Sequence, residues 1–113
     1  MSIPTPGRIV LYTLSKQDAD AQNKRRADAQ KHLQDHRENS NGVQIHVGNS
    51  LAEGDVYPMV ITRVWNPGNP QTAVNGQVLL DGNDLLWVTS TSAGEGPCHF
   101  TWPVHSSVPD RIA

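Results

Sequence analysis

Apolar and β-branched residues recur along this chain in short bursts divided by turn-forming residues, with one long interruption. Gly7 to Leu14 (GRIVLYTL) reads as a short strand, and then the period changes. Ser15-Lys16-Gln17-Asp18 has the form of a capping box. The Ser15 hydroxyl can accept a backbone N–H three residues on, and Asp18 stands where an acidic group is favoured by the helix dipole. The pattern predicts a helix from there to about Arg37, stopped by Asn39-Ser40-Asn41-Gly42. Almost nothing on it is greasy: Leu33 is its only apolar residue larger than alanine. The best stripe, through Ala19, Gln22, Arg26, Ala29 and Leu33, carries an amide and a guanidinium, with Asn23 and Arg25 beside it. Such a helix, roughly 33 Å long, is marginal alone and must pack through small side chains on a sheet or a second subunit.

The remainder is strand-like. Val43 to Val47 alternates enough for a short strand, and Gly48 to Asp55 reads as a loop. Val56 to Trp65 (VYPMVITRVW) is a strong strand whose Pro58 points to an edge or a bulge. Alternation puts Met59, Ile61 and Arg63 on one face and Val60, Thr62 and Val64 on the other. Asn66 to Ala73 is a Pro/Gly turn. Val74 to Leu80 and Leu85 to Ser90 flank Asp81-Gly82-Asn83 and predict a hairpin. Thr91 to Pro97 reads as a second loop and His99 to Val104 as a last strand, with 1–6 and 105–113 expected to be flexible. The fold class is therefore α+β: a single domain over 1–113, one long N-terminal helix packed with an antiparallel sheet of about five or six short strands, able to curl into a barrel.

Composition narrows the function classes. The 113 residues fit one modest core, but only 36% are apolar, a shortage that association between subunits would repair. A formal charge of −2 gives no global pull toward nucleic acid or an anionic membrane. The single Cys98 excludes an intrachain disulfide and fits a reducing compartment. No run approaches membrane-spanning length and no signal-peptide pattern opens the chain, so the cytoplasm is the expected site.

Enzyme chemistry finds little purchase. His32 and His36 stand one helical turn apart and can reach one ion, but the intervening residues lack a general-base Glu. A third ligand would have to come from His46, His99 or His105, and no metal is assigned. Asp81 and Asp84 flank the hairpin turn without a calcium-loop pattern and are expected to bond the turn backbone. Cys98, with His99 adjacent in a strand, is read as a half-buried structural thiol. Gly94-Glu95-Gly96-Pro97 lacks the strand–turn–helix context of a phosphate loop. No catalytic residue or cofactor is expected.

The arginines carry more. Lys24, Arg25 and Arg26 put three cations in one turn, and Arg63 interrupts an apolar strand face beside Val64 and Trp65. A guanidinium there must be answered, either by a carboxylate such as Asp84 or Glu53 or by a phosphate, which its planar fork suits. Trp65 or Trp87 can stack on a base. Duplex DNA fits poorly, because Asp18, Asp20, Asp28, Asp35 and Glu38 break the helix cations into no continuous stripe.

Four runs together resemble a family of small tailed-bacteriophage proteins. They are Gly7-x-Ile9-Val10-x-Tyr12-x-Leu14, then Asp18-Ala19 with Asn23-x-Arg25-Arg26, then Gly54-Asp55-x-x-Pro58-Met59-Val60-x-x-Arg63-Val64-Trp65, and finally Val74-Asn75-x-Gln77-Val78-x-Leu80-Asp81-Gly82-Asn83-Asp84-x-x-Trp87-Val88-Thr89-Ser90. The likeness runs nearly to Trp102-Pro103. A narrower resemblance is to phage anti-defence factors that sequester cyclic nucleotide or cyclic ADP-ribose immune signals. It implies a homo-oligomeric sponge in the infected bacterial host's cytoplasm, not an enzyme. Asn23, Arg25, Arg26, Arg63 and Asn83 are then the polar positions matching the motifs, with Trp65 and Trp87 as aromatic walls. The competing expectation is a small virion or assembly protein whose polar helix is a protein–protein contact.

Overall fold

The computed structural model describes residues 2–35 and 48–104, with backbone only over 32–35. Strand β1 (Ile9–Thr13) leads into helix α1 (Lys16–Asp35), followed by β2 (Val56–Val64), β3 (Val74–Leu79), β4 (Leu85–Ala93) and β5 (His99–Thr101). The five strands close into a barrel in sequence order. The long helix follows the first strand, in the order the pattern puts them. Its expected end at Arg37, the breaker cluster, the Val43–Val47 strand and the tail from His105 lie outside the described residues.

Alternation decides what fills the barrel. Val10, Tyr12, Met59, Ile61, Val74, Val78, Leu86, Val88 and Phe100 are buried, every second residue along most of each strand. β1–β2, β2–β3, β3–β4 and β1–β5 are antiparallel, but β4 and β5 pair in parallel through Ser92↔His99 and Ala93↔Phe100. The sheet is therefore not purely antiparallel. β4 also runs through Ala93, where a loop from Thr91 was expected, because Thr91 to Ala93 find partners in β3 and β5. Pro58 needs neither an edge strand nor a bulge: it pairs with Leu11 one residue before the ladder to β3 begins at Met59.

The bulge in β2 falls later. Ile61 lies opposite Gly76 and Arg63 opposite Asn75, so Thr62 is an extra residue. A second bulge follows on the other side of β3, where the single Asn75 stands against Thr89 and Ser90. Asn75 is buried and serves both. Its carbonyl accepts the Thr62 hydroxyl at 3.2 Å, and its side-chain oxygen accepts Ser90 N–H at 2.9 Å and Trp65 Nε1–H at 3.1 Å.

Helix α1 begins as the pattern predicts. Asp18 N–H donates to Ser15 Oγ at 3.0 Å and Ser15 N–H to Asp18 Oδ2 at 3.1 Å, so an aspartate completes the capping box. The helix docks through polar groups. Ala19, Gln22 and Arg26 are buried while Ala29 is exposed, so the stripe touches the barrel only along its N-terminal part. Asn23 Nδ2 donates to Leu51 O at 2.8 Å and its oxygen accepts Leu51 N–H at 3.0 Å, holding the segment before β2 against the helix as a neighbouring strand would.

Candidate functional site

Three consecutive cations meet three fates, because successive residues of a helix point about 100° apart. Lys24 pairs with Asp28 at 2.9 Å on the solvent face, where such a pair contributes little. Arg26 turns inward. Its Nε and Nη2 each donate to the Asp84 carboxylate at 2.8 Å, and Nη1 donates to the carbonyl of Asn49. Gln22 Nε2 adds a 2.8 Å bond to Asp84 Oδ2. The Arg26 guanidinium holds the Asp84 carboxyl below its ordinary range, against the opposing effect of burial.

Asp84, one of the two carboxylates considered for Arg63, therefore answers Arg26. Asp84 keeps a backbone hydrogen bond within the turn beside its pair with Arg26, whereas Asp81 Oδ2 accepts Asn49 Nδ2–H at 2.8 Å. Gly48 and Gly82 are the glycines this clamp requires. A Cβ on Gly82 would lie 2.8 Å from Arg26 Nη2, and one on Gly48 would collide with the Arg26 guanidinium and the Asp81 carbonyl. Gly82 has no positive φ, so close approach rather than turn conformation selects glycine. Asn83 lies exposed in that turn.

Arg25 points elsewhere. A cleft of about 370 Å³ separates the N-terminal half of α1 from β4, and Arg25, Gln17, Trp87, Ser90 and Cys98 line it. It exists because β4 pairs with β3 on one side over Leu85–Thr91, whereas on the other β5 joins only at Ser92 and Ala93. The helix borders the strand edge left over. Arg25 is exposed and touches Gln22 Oε1 at 3.2 Å, and Trp87 is 62% exposed. Both non-glycine residues with left-handed backbones among the described residues, Ser90 (φ 54°) and Cys98 (φ 67°), line this cleft. Such conformations each cost of order 1–3 kcal/mol and cluster at functional sites.

At its floor the Tyr12 hydroxyl donates to Asp18 Oδ2 at 2.7 Å. Burial, and then that bond to a carboxylate, keep the phenol protonated far above its ordinary range. Asp18 is committed to this phenol and to the helix cap. Cys98 is exposed, not half-buried as expected, because it sits ahead of β5 rather than in it. The adjacent His99 ring turns away, its Nδ1 lying 3.2 Å from Ser92 O.

Arg63 and Trp65 occupy a third place. The Thr62 bulge removes Arg63 from the inward face shared by Met59 and Ile61, so it lies exposed with its guanidinium 4.0 Å from the Trp65 ring centroid. The seven expected site residues thus divide. Asn23 and Arg26 hold the helix to the barrel, with Asn83 in the adjoining turn. Arg25 and Trp87 share the cleft, and Arg63 stacks on Trp65 at the far end of β2. Sequence reasoning passed over Gln17 and Ser90 in the cleft and Asn75 beneath two bulges. Asn75-Gly76 inside a strand was the available signal, since such a pair disfavours regular pairing.

Among the described residues no helix is long and apolar enough to cross a membrane, and no three His, Cys, Asp or Glu side chains converge as metal ligands. In comparisons with protein-family models, curated proteins and solved structures, nothing matches the chain.

Proposed function

We propose that this chain is a phage-encoded binding protein that captures a phosphorylated, nucleotide-like immune signal in the α1–β4 cleft without making or breaking a bond. The observation that carries this reading is the pairing of an exposed guanidinium and an exposed indole in one cleft, Arg25 on the helix and Trp87 on the strand. A guanidinium matches phosphate geometry and an indole offers a stacking face. The cleft volume, about 370 Å³, falls within the size range of small-molecule sites. Gln17 and Ser90 supply further polar groups at the wall. Cyclic dinucleotides and cyclic ADP-ribose isomers are the ligands to test, in keeping with the phage-family resemblance. The working location is the infected cell's cytoplasm, with the protein acting as a homo-oligomer.

Native mass spectrometry tests this on the intact protein with a panel of those nucleotides. The expected result is a discrete oligomer that gains the mass of an intact nucleotide and releases it unchanged on heating. Arg25→Ala and Trp87→Ala should each weaken capture about tenfold. No added mass at micromolar ligand, or equal capture by both variants, rejects the reading. A virion or assembly role then leads, favoured by Leu79 and Leu85. These lie opposite each other in register, 40% and 53% exposed, and with Trp87 form an apolar strip on the outer face of the hairpin.

A further inference from the structure

We propose that the barrel end bearing Arg8, Arg63, Trp65 and Trp102 binds single-stranded nucleic acid, independently of the α1–β4 cleft. The strand register brings these residues together. Ile61 N–H donates to the Arg8 carbonyl at 2.9 Å, two residues before Arg63, so both arginines stand where β1 begins and β2 ends. Trp102 directly follows β5, which runs antiparallel to β1 and so finishes at the same end.

Each arginine lies over an indole, Arg8 at 4.7 Å from the Trp102 ring centroid and Arg63 at 4.0 Å from that of Trp65. The rings are braced. Trp65 is tied through Nε1 to buried Asn75, and Trp102 meets buried Phe100 edge-on at 5.9 Å. Bracing lowers the entropy lost when a base stacks. Neither arginine has a salt-bridge partner among the described residues, which leaves both guanidiniums available to phosphate.

Two acidic groups stand far from this end. Asp55 precedes β2 and Asp81 follows β3, so both lie at the opposite end from Arg63, roughly 26 Å away along β2. Arg8, Arg63 and the two indoles thus meet at one end of a chain of overall charge −2, with Glu95 the acidic residue in the loop that leaves β4. Cations interleaved with aromatic faces recognise single strands, because every base has a face to stack while phosphates take the charge. Between β2 and β3, Asn66-Pro67-Gly68-Asn69-Pro70-Gln71-Thr72 adds uncharged hydrogen-bonding groups beside Trp65.

Fluorescence polarisation with a labelled oligothymidylate of about 12 nucleotides tests the proposal. Binding at low salt is expected, with log K falling against log salt at a slope of about −1.4 for two neutralised phosphates. Arg63→Gln and Trp65→Ala should each lower affinity about tenfold, and Arg8→Gln with Arg63→Gln should flatten the slope. Lys24→Gln, which removes a cation from the helix, should change nothing, and melting curves establish that the variants remain folded. No polarisation change, or equal losses in Lys24→Gln, overturns the proposal. So does salt-sensitive self-association that disappears in the Arg8/Arg63 variant, since this end would then dock on the acidic end of a second copy. The oligothymidylate is linear, so its failure would leave the cyclic-nucleotide reading of the cleft standing, and the reverse also holds.

Discussion

Arg26 and Arg63 are the same residue type at opposite ends of one barrel, and they do different work. Arg26 is 6% exposed and spends four of its five donors on Asp84, Asn49 and, at 3.5 Å, the Asp81 carbonyl. Arg63 is exposed and rests on an indole. What separates them is the set of neighbours each was delivered to. A desolvated guanidinium is tolerable only when its donors are met, so Arg26 marks a place where the fold has closed around a charge. An exposed guanidinium on a braced ring is stable as it stands and still open to a ligand.

Breaking the clamp should have the largest effect. Asp84→Ala leaves Arg26 buried without its carboxylate and should cost about 3 kcal/mol in urea unfolding. A loss under 1 kcal/mol would mean that the helix end loosens to let Arg26 reach water. Second is Asn75→Ala at the other end. It strands the Ser90 N–H and the Trp65 indole N–H, and about 2 kcal/mol of stability should disappear. Trp65 emission should shift to the red as the ring is released.

The clamp also has a pH signature. Asp84 has a depressed pKa in the folded state, so its contribution is present above the unfolded value of about 3.9 and is lost as pH falls through the lower folded value. The stability gap between wild type and Asp84→Asn should be constant near neutrality and shrink below about pH 4. A gap that persists at pH 2 would show that hydrogen-bond geometry, not the charge, holds the helix. Smallest is Arg63→Ala, which should move the unfolding midpoint by no more than about 0.5 kcal/mol in free energy. A larger loss would make Arg63 a fold residue like Arg26 and dissolve the contrast.

Much of the fold was legible in the chain. The Ser15–Asp18 cap, the start of the helix, the Val56–Val64 strand and the hairpin around Asp81-Gly82-Asn83 all stand close to where the pattern puts them. Each depends on residues a few positions apart. The assignment of partners was less legible. The sequence offers Asp84 alongside Glu53 as an answer to Arg63, yet Asp84 pairs with Arg26, 58 positions away. Cys98, expected as a half-buried structural thiol for want of a base and an orienting group in the sequence, lies exposed beside the cleft. The seven residues grouped as one site stand in three places.

The physical reason lies in the range of the forces involved. Side-chain period, caps and turns are written in local geometry, so the sequence alone determined the element types and the unusual polarity of α1. The two bulges at Asn75, the parallel join of β4 to β5 and the cleft beside β4 depend on how five strands close into a ring. One extra residue in a strand turns every side chain beyond it to the other face. That single step took Arg63 off the inward face, and only tertiary closure decided it.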